Sequence, residues 1–315
     1  MSFLNTAVDK VYVINMDKDT ERLKRFDEQM KRLQISYTRV PGIIGADVGV
    51  HDNLSGFCNR FCTAGMKGCA LSHRAAWEDM LKNRYENIAI FEDDAILDPN
   101  FNEKFREGWQ QLPNDYDVYY IGCDAMCEVS DFSSKVLNTV LQSHPEKIDR
   151  NLNSVSGSVG LHGYIISEKC AKVILDTPIH THLDMQLYKW IDEFNLNAYS
   201  ISPVIVTVNE TGDSNQSELF PILLNSLLHP FTMYTRPLDY MLGENLIQIG
   251  WYSVNSLIII LSALIILLPF RFGLYILGWI VLEGFYARDV KNTSKFIQIL
   301  GGLLLIRYGL RRIML

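Results

Sequence analysis

The chain has 315 residues, of which 29 are Lys or Arg and 36 are Asp or Glu, and its formal net charge of −7 is unevenly spread. Residues 251–315 hold seven basic and two acidic residues, a net of +5, so residues 1–250 carry −12. Such an acidic body excludes a general nucleic-acid-binding protein, which needs a basic surface, and the length allows one large domain or two small ones.

The first elements are a strand over residues 11–15, which ends at Asn15, and a helix over 20–33. Apolar residues recur along 23–33 at steps of three and four, which predicts one apolar helix face. Arg22 and Arg25 lie off that face, near the start of the helix. Basic side chains beside a helix N-terminus suit a phosphate group, and the alternative is that both arginines are simply solvated.

A strand over 35–40, a loop over 47–65 and a helix over 66–84 follow. The apolar face of this helix includes His73, with Ser72 beside it. An inward-facing histidine is either a hydrogen-bonded core residue or a ligand, and its spacing leaves both readings open.

Residues 87–94 predict a buried strand that runs directly into three carboxylates, Glu92, Asp93 and Asp94. Ligands of open α/β sheets bind at this end of the strands. Adjacent carboxylates repel one another unless a cation joins them, and hard oxygen ligands suit Mg²⁺ or Mn²⁺. The alternative is an acidic turn without a ligand.

Beyond this strand, helices are predicted over 101–112, 168–175 and 185–194, and strands over 117–123, 158–166 and 199–208. Asp184 comes directly before the last of these helices. Alternating strands and helices predict an α/β domain with a mostly parallel sheet.

The tail is strongly apolar. Residues 251–270 carry no charge, and a helix of that length spans ~30 Å, the thickness of the apolar core of a bilayer. After Arg271, residues 272–282 and 296–306 form two shorter apolar runs. We expect one membrane span, a short re-entrant segment and a last helix whose basic residues lie at the headgroups; the alternative is an unusually apolar soluble core.

The N-terminal residues lack the basic lead and the apolar core of a signal peptide, so we expect the acidic domain to stay in the cytosol. The six cysteines are expected to be thiols. Cys58 with Cys62, and Cys123 with Cys127, offer a spacing that is only loosely typical of zinc ligands.

Four blocks stand in order along the chain: VINMD at 13–17 with Arg22 and Arg25, KGCALSH at 67–73 with Trp77, IFEDD at 90–94, and GYIIS at 163–167 with Ala171 and Asp184. Together they resemble glycosyltransferase family 25, which includes lipopolysaccharide-chain and procollagen galactosyltransferases. One block alone is weak, but all four in order are specific. The resemblance spans about residues 11–217. Lys67, where the family often has an acidic residue, and the apolar tail depart from it.

The resemblance implies a GT-A type fold, in which a Rossmann-like sheet binds a nucleotide-sugar such as a UDP-sugar. It implies Mn²⁺ or Mg²⁺ on Glu92 and Asp94, which point the same way if the chain is extended, with Asp93 on the other side toward the ribose or sugar. An inverting reaction needs a base, for which Asp184 is the candidate unless it caps the following helix. The implied donor-binding residues are Asn15, Arg22, Arg25, Ser72 and His73, and Asp213 and Ser214 are candidates to close the site.

We therefore expect a membrane-anchored, metal-dependent glycosyltransferase that moves a hexose, with galactose from UDP-galactose as the expected donor, to a glycan, lipid-linked or protein acceptor. The expected domains are a catalytic domain over 1–220, a connector over 221–250 and a membrane-anchoring tail over 251–315. Two rival hypotheses are a catalytically inactive membrane scaffold and a metal-dependent phosphohydrolase.

Overall fold

The computed structural model describes residues 2–127, 135, 138–139, 142–208, 220–233 and 236–313. Two compact units make up the chain, Met1–Thr211 and Gly212–Leu315. Asp213 and Ser214, predicted to close the site, lie outside the described residues. The division into a catalytic domain, a connector and a tail stays a prediction.

The strands of the first unit alternate with its helices. They are β1 (Lys10–Asn15), β2 (Thr38–Pro41), β3 (Asn87–Glu92), β4 (Ala95–Leu97), β5 (Val118–Tyr120), β6 (Glu146–Asp149), β7 (Leu152–Ser154), β8 (Gly163–Ser167), β9 (Ala198–Ile201) and β10 (Val206–Val208). Eight of them form one sheet in the order β2-β1-β3-β8-β5-β9-β7-β6, and β10 pairs with β4. Six of the eight run in one direction, and β7 and β8 run against them. The predicted α/β fold with a mostly parallel sheet is confirmed.

The helices of this unit pack on both faces of the sheet. Those described are α1 (Leu4–Ala7), α2 (Thr20–Leu33), α3 (Gly56–Phe61), α4 (Ala64–Asn83), α5 (Phe101–Gln111), α6 (Glu168–Leu175) and α7 (Leu183–Glu193), with a short 3₁₀ turn at Gly45–Asp47. The bounds of α2 and α6 are those predicted from the sequence.

Strand β3 is buried on both faces, which explains its continuous apolar sequence. Ile88 and Ile90 belong to the core that includes Trp77 of α4, whereas Ala89 and Phe91 belong to the opposite core. Successive residues of a strand point to opposite faces, so β3 contributes side chains to the cores on both faces of the sheet. Its position between β1 and β8 puts its last residue in the middle of the sheet edge.

The strand ends at Glu92, and Asp93 and Asp94 form a turn before β4. The expectation that the chain stays extended through Asp94, with Glu92 and Asp94 on the same side, is therefore wrong. A turn breaks the two-residue alternation of a strand, so Asp93 and Asp94 are directed separately from Glu92.

Helix α4 approaches the preceding loop very closely at its N-terminal turn. A Cβ atom on Gly68 would lie 2.5 Å from the backbone oxygen of Ile43, and one on Gly45 would lie 1.7 Å from the backbone oxygen of Ala64. The side chain of Thr63 caps the helix by accepting a hydrogen bond from the backbone N–H of Met66. Glycine is needed here because two backbones meet without room for a side chain.

The cysteines differ from the expectation. Cys58–Cys62 and Cys123–Cys127 are disulfides, whereas Cys69 and Cys170 keep their thiols. The prediction of six thiols is wrong. The fold brings the sulfur atoms of Cys58 and Cys62 together at the end of α3, and those of Cys123 and Cys127 together after β5. Disulfides persist in oxidising compartments, which runs against the expectation of a cytosolic domain; that expectation stays a prediction.

The second unit consists mainly of apolar helices. Its described elements are α8 (Ile222–Leu228), β11 (Thr232–Met233), β12 (Arg236–Pro237), α9 (Leu238–Gly243), β13 (Asn245–Ile249), β14 (Tyr252–Asn255), α10 (Ser256–Leu267), α11 (Phe270–Ala287) and α12 (Val290–Ile313). The predicted span over 251–270 is wrong in position, because this stretch begins as β14 and its helix has 12 residues. At 1.5 Å per residue, α10 is about 18 Å long and too short to cross a bilayer.

Helix α11 is, among the described residues, the one helix long and apolar enough to cross a membrane, and 22% of it is buried. The core helix of a soluble protein can pass the same test, so the membrane anchor stays a prediction. Its one acidic residue, Glu283, is buried, and its carboxylate accepts hydrogen bonds from the backbone N–H groups of Leu223 (2.9 Å) and Leu224 (3.1 Å). The charge is thus compensated inside the unit.

The close approach at Gly68 gives a test of this packing. We expect Gly68→Ala to lower the free energy of unfolding by about 1–3 kcal/mol, because the added methyl group must displace the backbone at Ile43. Urea titration of the detergent-solubilised chain measures the change. Gly56→Ala, in α3 with open space around it, is the matched control and should be neutral or slightly stabilising. Equal effects of the two substitutions would contradict the predicted crowding.

Candidate active site

Strands β1 and β3 are parallel neighbours, and their carboxyl ends meet at one edge of the sheet. Ile14 pairs in register with Glu92, so Asn15 lies beside the start of the acidic turn. The turn then carries Asp93 and Asp94 over the end of β1. The edge predicted from sequence is therefore the place where polar side chains converge.

One arginine holds both acids of the turn. Arg22, in the first turn of α2, contacts Asp93 at 2.8 Å and also forms an ion pair with Asp94. Arg22 and Asp93 are largely buried, at 13% and 7% exposure, and Asp94 is half-buried at 27%. Burial raises the pKa of Asp93 to about 6, although Arg22 and Asn15 act in the opposite direction.

Asn15 fixes the orientation of Asp93. Its Nδ2 donates to Asp93 Oδ2 at 2.7 Å and to the backbone oxygen of Asp19 at 3.0 Å. Its Oδ1 accepts from Arg39 Nε at 2.8 Å. Arg39, which also pairs with Asp17, was missed by the sequence analysis. Arg39 lies on β2, and the register of β2 with β1 places it opposite Val13, two residues before Asn15. The sequence predicts the strand but not this register.

The third acid faces another element. Glu92 Oε1 lies 3.4 Å from Nε2 of His73, which α4 buries against the sheet. His73 Nδ1 lies 2.9 Å from the hydroxyl of Tyr164, which also accepts from Trp77 Nε1 at 3.0 Å. The histidine is thus both a buried, hydrogen-bonded residue and a neighbour of the acidic turn.

The remaining predicted donor-binding residues have different surroundings. Ser72 is buried, accepts from the backbone N–H of Ile43 at 2.8 Å and donates to the backbone oxygen of Gly68 at 2.6 Å. These bonds tie α4 to the loop before it. Arg25 is exposed on α2. The donor-binding roles of both residues stay predictions.

Asp184 is the second residue of α7, and the N-cap of that helix is His182, so the predicted capping alternative is wrong. One carboxylate oxygen accepts from its own neighbour Met185 and the other from the backbone N–H of Gly160, at 3.3 Å. Residues 160–162 lead to β8, where the backbone oxygen of His162 accepts from the N–H of Glu92. Asp184 is therefore connected to the acidic turn through the start of β8.

A buried histidine and acid lie beside this connection. His162 Nδ1 is 3.8 Å from Asp124 Oδ2, and both side chains are almost fully buried. A Cβ on Gly160 would meet Asp124 Oδ2 at 2.6 Å. Asp124 is not among the site residues predicted from the sequence, although, like Asp93 and Asp94 after β3, it is an acid that follows a strand of the sheet.

Comparison with known proteins places this edge within one family. The family described as "Glycosyltransferase family 25 (LPS biosynthesis protein)" matches residues 8–186, a range that contains every site residue discussed above. Procollagen galactosyltransferase 1-A of Xenopus laevis is 25% identical over 66% of this chain and 37% of its own. Lipooligosaccharide biosynthesis protein lex-1 of Haemophilus influenzae is 25% identical over 51% of this chain and 55% of its own.

The similar proteins include inactive ones. The inactive glycosyltransferase 25 family member 3 of Homo sapiens is 28% identical over 36% of this chain and 22% of its own. The chain thus spans less than two thirds of the length of each of these three relatives.

The Arg22 ion pairs can be tested directly. We expect Arg22→Gln to lower the free energy of unfolding by about 2 kcal/mol at pH 8, because it leaves two partly buried carboxylates without their cation. Arg25→Gln, on the exposed side of the same helix, should change it by less than about 0.5 kcal/mol. Denaturant titrations of both variants measure the difference, and similar values for the two would refute the assigned role of Arg22.

Proposed function

The chain belongs to glycosyltransferase family 25, and we propose that it transfers a hexose from a nucleotide-sugar to a glycan, lipid-linked or protein acceptor. Galactose from UDP-galactose is the proposed donor, since one relative is named as a galactosyltransferase. The proposed arrangement is a GT-A type site at the carboxyl edge of the sheet. The observation that carries the proposal is the convergence of Arg22, Asn15 and three adjacent carboxylates at that edge.

The three adjacent carboxylates of the edge support a cation-assisted donor site. Glu92, Asp93 and Asp94 offer carboxylate oxygens, and Arg22 pairs with Asp93 and Asp94. This set of hard oxygen donors fits Mn²⁺ or Mg²⁺. Such an ion, when bound, neutralises the charge that develops on a nucleoside diphosphate leaving group. Glu92 and Asp94 are the proposed ligands, Glu92 after a side-chain rotation away from His73.

The chain's own residues have distinct proposed tasks. Arg22 orients the acidic turn, and Asn15 holds the carboxylate of Asp93 in place. Asp93 faces the sugar or ribose, where its raised pKa makes it a stronger base than an exposed aspartate. Asp184, half-buried at the start of α7, is the proposed base for the acceptor hydroxyl in an inverting reaction.

The second unit is proposed to anchor the protein to a membrane. Large apolar side chains are exposed on α10, α11 and α12, among them Leu267, Leu282 and Phe285. Exposed apolar surface of this extent marks a binding surface, and the exposed basic residues Arg288 and Lys291 suit anionic headgroups. A membrane anchor favours a lipid-linked or membrane-proximal acceptor.

A second candidate function is an inactive scaffold. Two observations favour it: a curated relative is named as inactive, and Arg22 already occupies carboxylate oxygens of two of the acids in this structure. A scaffold would keep the fold and the membrane surface but would release no nucleotide.

Donor hydrolysis distinguishes these functions. We expect the purified chain with Mn²⁺ to release UDP from one sugar in a panel of UDP- and GDP-sugars. Asp94→Asn should lower that rate by on the order of 100-fold, because it removes a proposed metal ligand. Asp98→Asn, an equally conservative change at an acid paired with Lys104, is the control and should retain the rate.

The outcomes are separable. Release of free phosphate would indicate a phosphohydrolase. No release from any donor, together with no UDP binding by calorimetry in the presence of Mn²⁺, would leave the scaffold.

Membrane binding has its own test. We expect the full chain to float with liposomes that contain anionic lipid. The double substitution Leu282→Asp/Phe285→Asp should weaken this binding by at least about 100-fold, because each carboxylate costs about 2–3 kcal/mol in hydrocarbon. Val50→Asp, at a position 90% exposed in the first unit, should have no effect. A wild-type chain that stays in the lower fractions without detergent would refute the anchor.

A further inference from the structure

Two potential metal ligands project from one face of α4. Cys69 and His73 are four residues apart, and side chains at this spacing are neighbours on a helix surface. Glu92, the last residue of β3, meets them from the sheet. One ligand atom from each of the three residues lies within 4.8 Å of the other two.

The separations fit an ion better than they fit a hydrogen bond. His73 Nε2 and Glu92 Oε1 are 3.4 Å apart, which is longer than the ~2.7–3.2 Å of an ordinary N–H···O bond. Two atoms that each lie ~2.0–2.1 Å from a tetrahedral ion are separated by about 3.4 Å. A thiolate on the same ion would lie about 3.6 Å from both. Because the three ligand atoms lie within 4.8 Å of one another, Cys69 would need to move by at most about 1 Å.

The surroundings of His73 suit a ligand. A metal-bound histidine usually donates its second ring N–H to a fixed partner, which orients the ring. Here Nδ1 lies 2.9 Å from the hydroxyl of Tyr164, and that oxygen also accepts from Trp77 at 3.0 Å. A tyrosine oxygen can accept two hydrogen bonds, so Nδ1–H can donate to it and the lone pair of Nε2 faces Glu92.

We propose that Cys69, His73 and Glu92 bind a divalent cation of the zinc type. A thiolate, an imidazole and a carboxylate favour Zn²⁺ over Mg²⁺ or Mn²⁺. Cys69 and Glu92 are half-buried, so a fourth position is open to water or to a substrate oxygen, as in zinc sites with three protein ligands.

This site overlaps the proposed donor-binding metal site at Glu92, which faces His73 in this structure and would have to rotate away to join Asp94 on the other ion. It draws two of its three ligands from α4 and none from the Asp93–Asp94 turn. Its existence does not depend on sugar transfer, because metal binding is measured without any donor.

Cobalt titration tests the proposal. Full-length protein, treated with a chelator and kept free of reductant so that the disulfides stay closed, is titrated with Co²⁺. We expect one Co²⁺ per chain, with a thiolate-to-cobalt charge-transfer band in the near ultraviolet and the visible bands of a tetrahedral ion. Zn²⁺ should displace it and Mg²⁺ should not.

Variants identify the ligands. Cys69→Ser should abolish the charge-transfer band, and His73→Gln and Glu92→Gln should each weaken binding by more than about tenfold. Tyr164→Phe should weaken it by about tenfold, because the ring loses its fixed partner. Cys170→Ala, at the other cysteine that keeps its thiol, is the matched control and should keep the band.

Three results would overturn the proposal: no Co²⁺ binding by the wild type, a band that survives Cys69→Ser, or a band that Cys170→Ala removes. Far-ultraviolet circular dichroism of each variant confirms that a lost band is not lost folding. Asp94→Asn should keep the band while it suppresses donor hydrolysis. An intact band in a chain that hydrolyses no donor and binds no UDP in the presence of Mn²⁺ would therefore reject the proposed function and leave the cation site standing.

Discussion

Three consecutive carboxylates at the end of a buried strand determine the character of the candidate site. They follow a strand that is buried on both faces, and Arg22 pairs with two of them. Burial pushes the pKa of Asp93 up, while Arg22 and Asn15 push it down, and the result is about 6. The edge thus brings several carboxylate oxygens together, which is the type of ligand that the proposed divalent cation requires.

Helix α4 links the fold to this chemistry. Its N-terminal turn touches the loop at Ile43 backbone to backbone, and Ser72 reinforces that contact with a buried hydroxyl. One turn further along, His73 faces Glu92 across the gap between helix and sheet. Because one rigid helix carries both the packing contact and the histidine, a change in its approach to the loop also moves the histidine relative to the strand end.

Two charged side chains of the second unit have hydrogen-bond partners within it, and many of its apolar side chains are exposed. Glu283 accepts from two backbone N–H groups of α8, and Arg307 donates to the backbone oxygens of Ile265 and Leu268 near the end of α10. In a low-dielectric environment polar groups need such partners, so these contacts are compatible with the proposed membrane anchor.

The sequence by itself determined those features that depend on local periodicity. Apolar spacing predicted the bounds of α2, and the uninterrupted apolar run of β3 predicted a buried strand. The order of the four blocks identified the family, and the acids after β3 identified the edge of the sheet that carries the candidate site.

Only the tertiary structure decided where each acid points. Asp93 and Asp94 turn toward Arg22 on α2 and Glu92 toward His73 on α4, because the partner of a carboxylate is set by which non-local helix brings a cation or ring nitrogen within reach. The same reason explains why Arg39, Asp124 and Cys69 were not predicted as site residues. Each lies next to a candidate site residue that is distant along the chain: Asn15, His162 and Glu92, respectively.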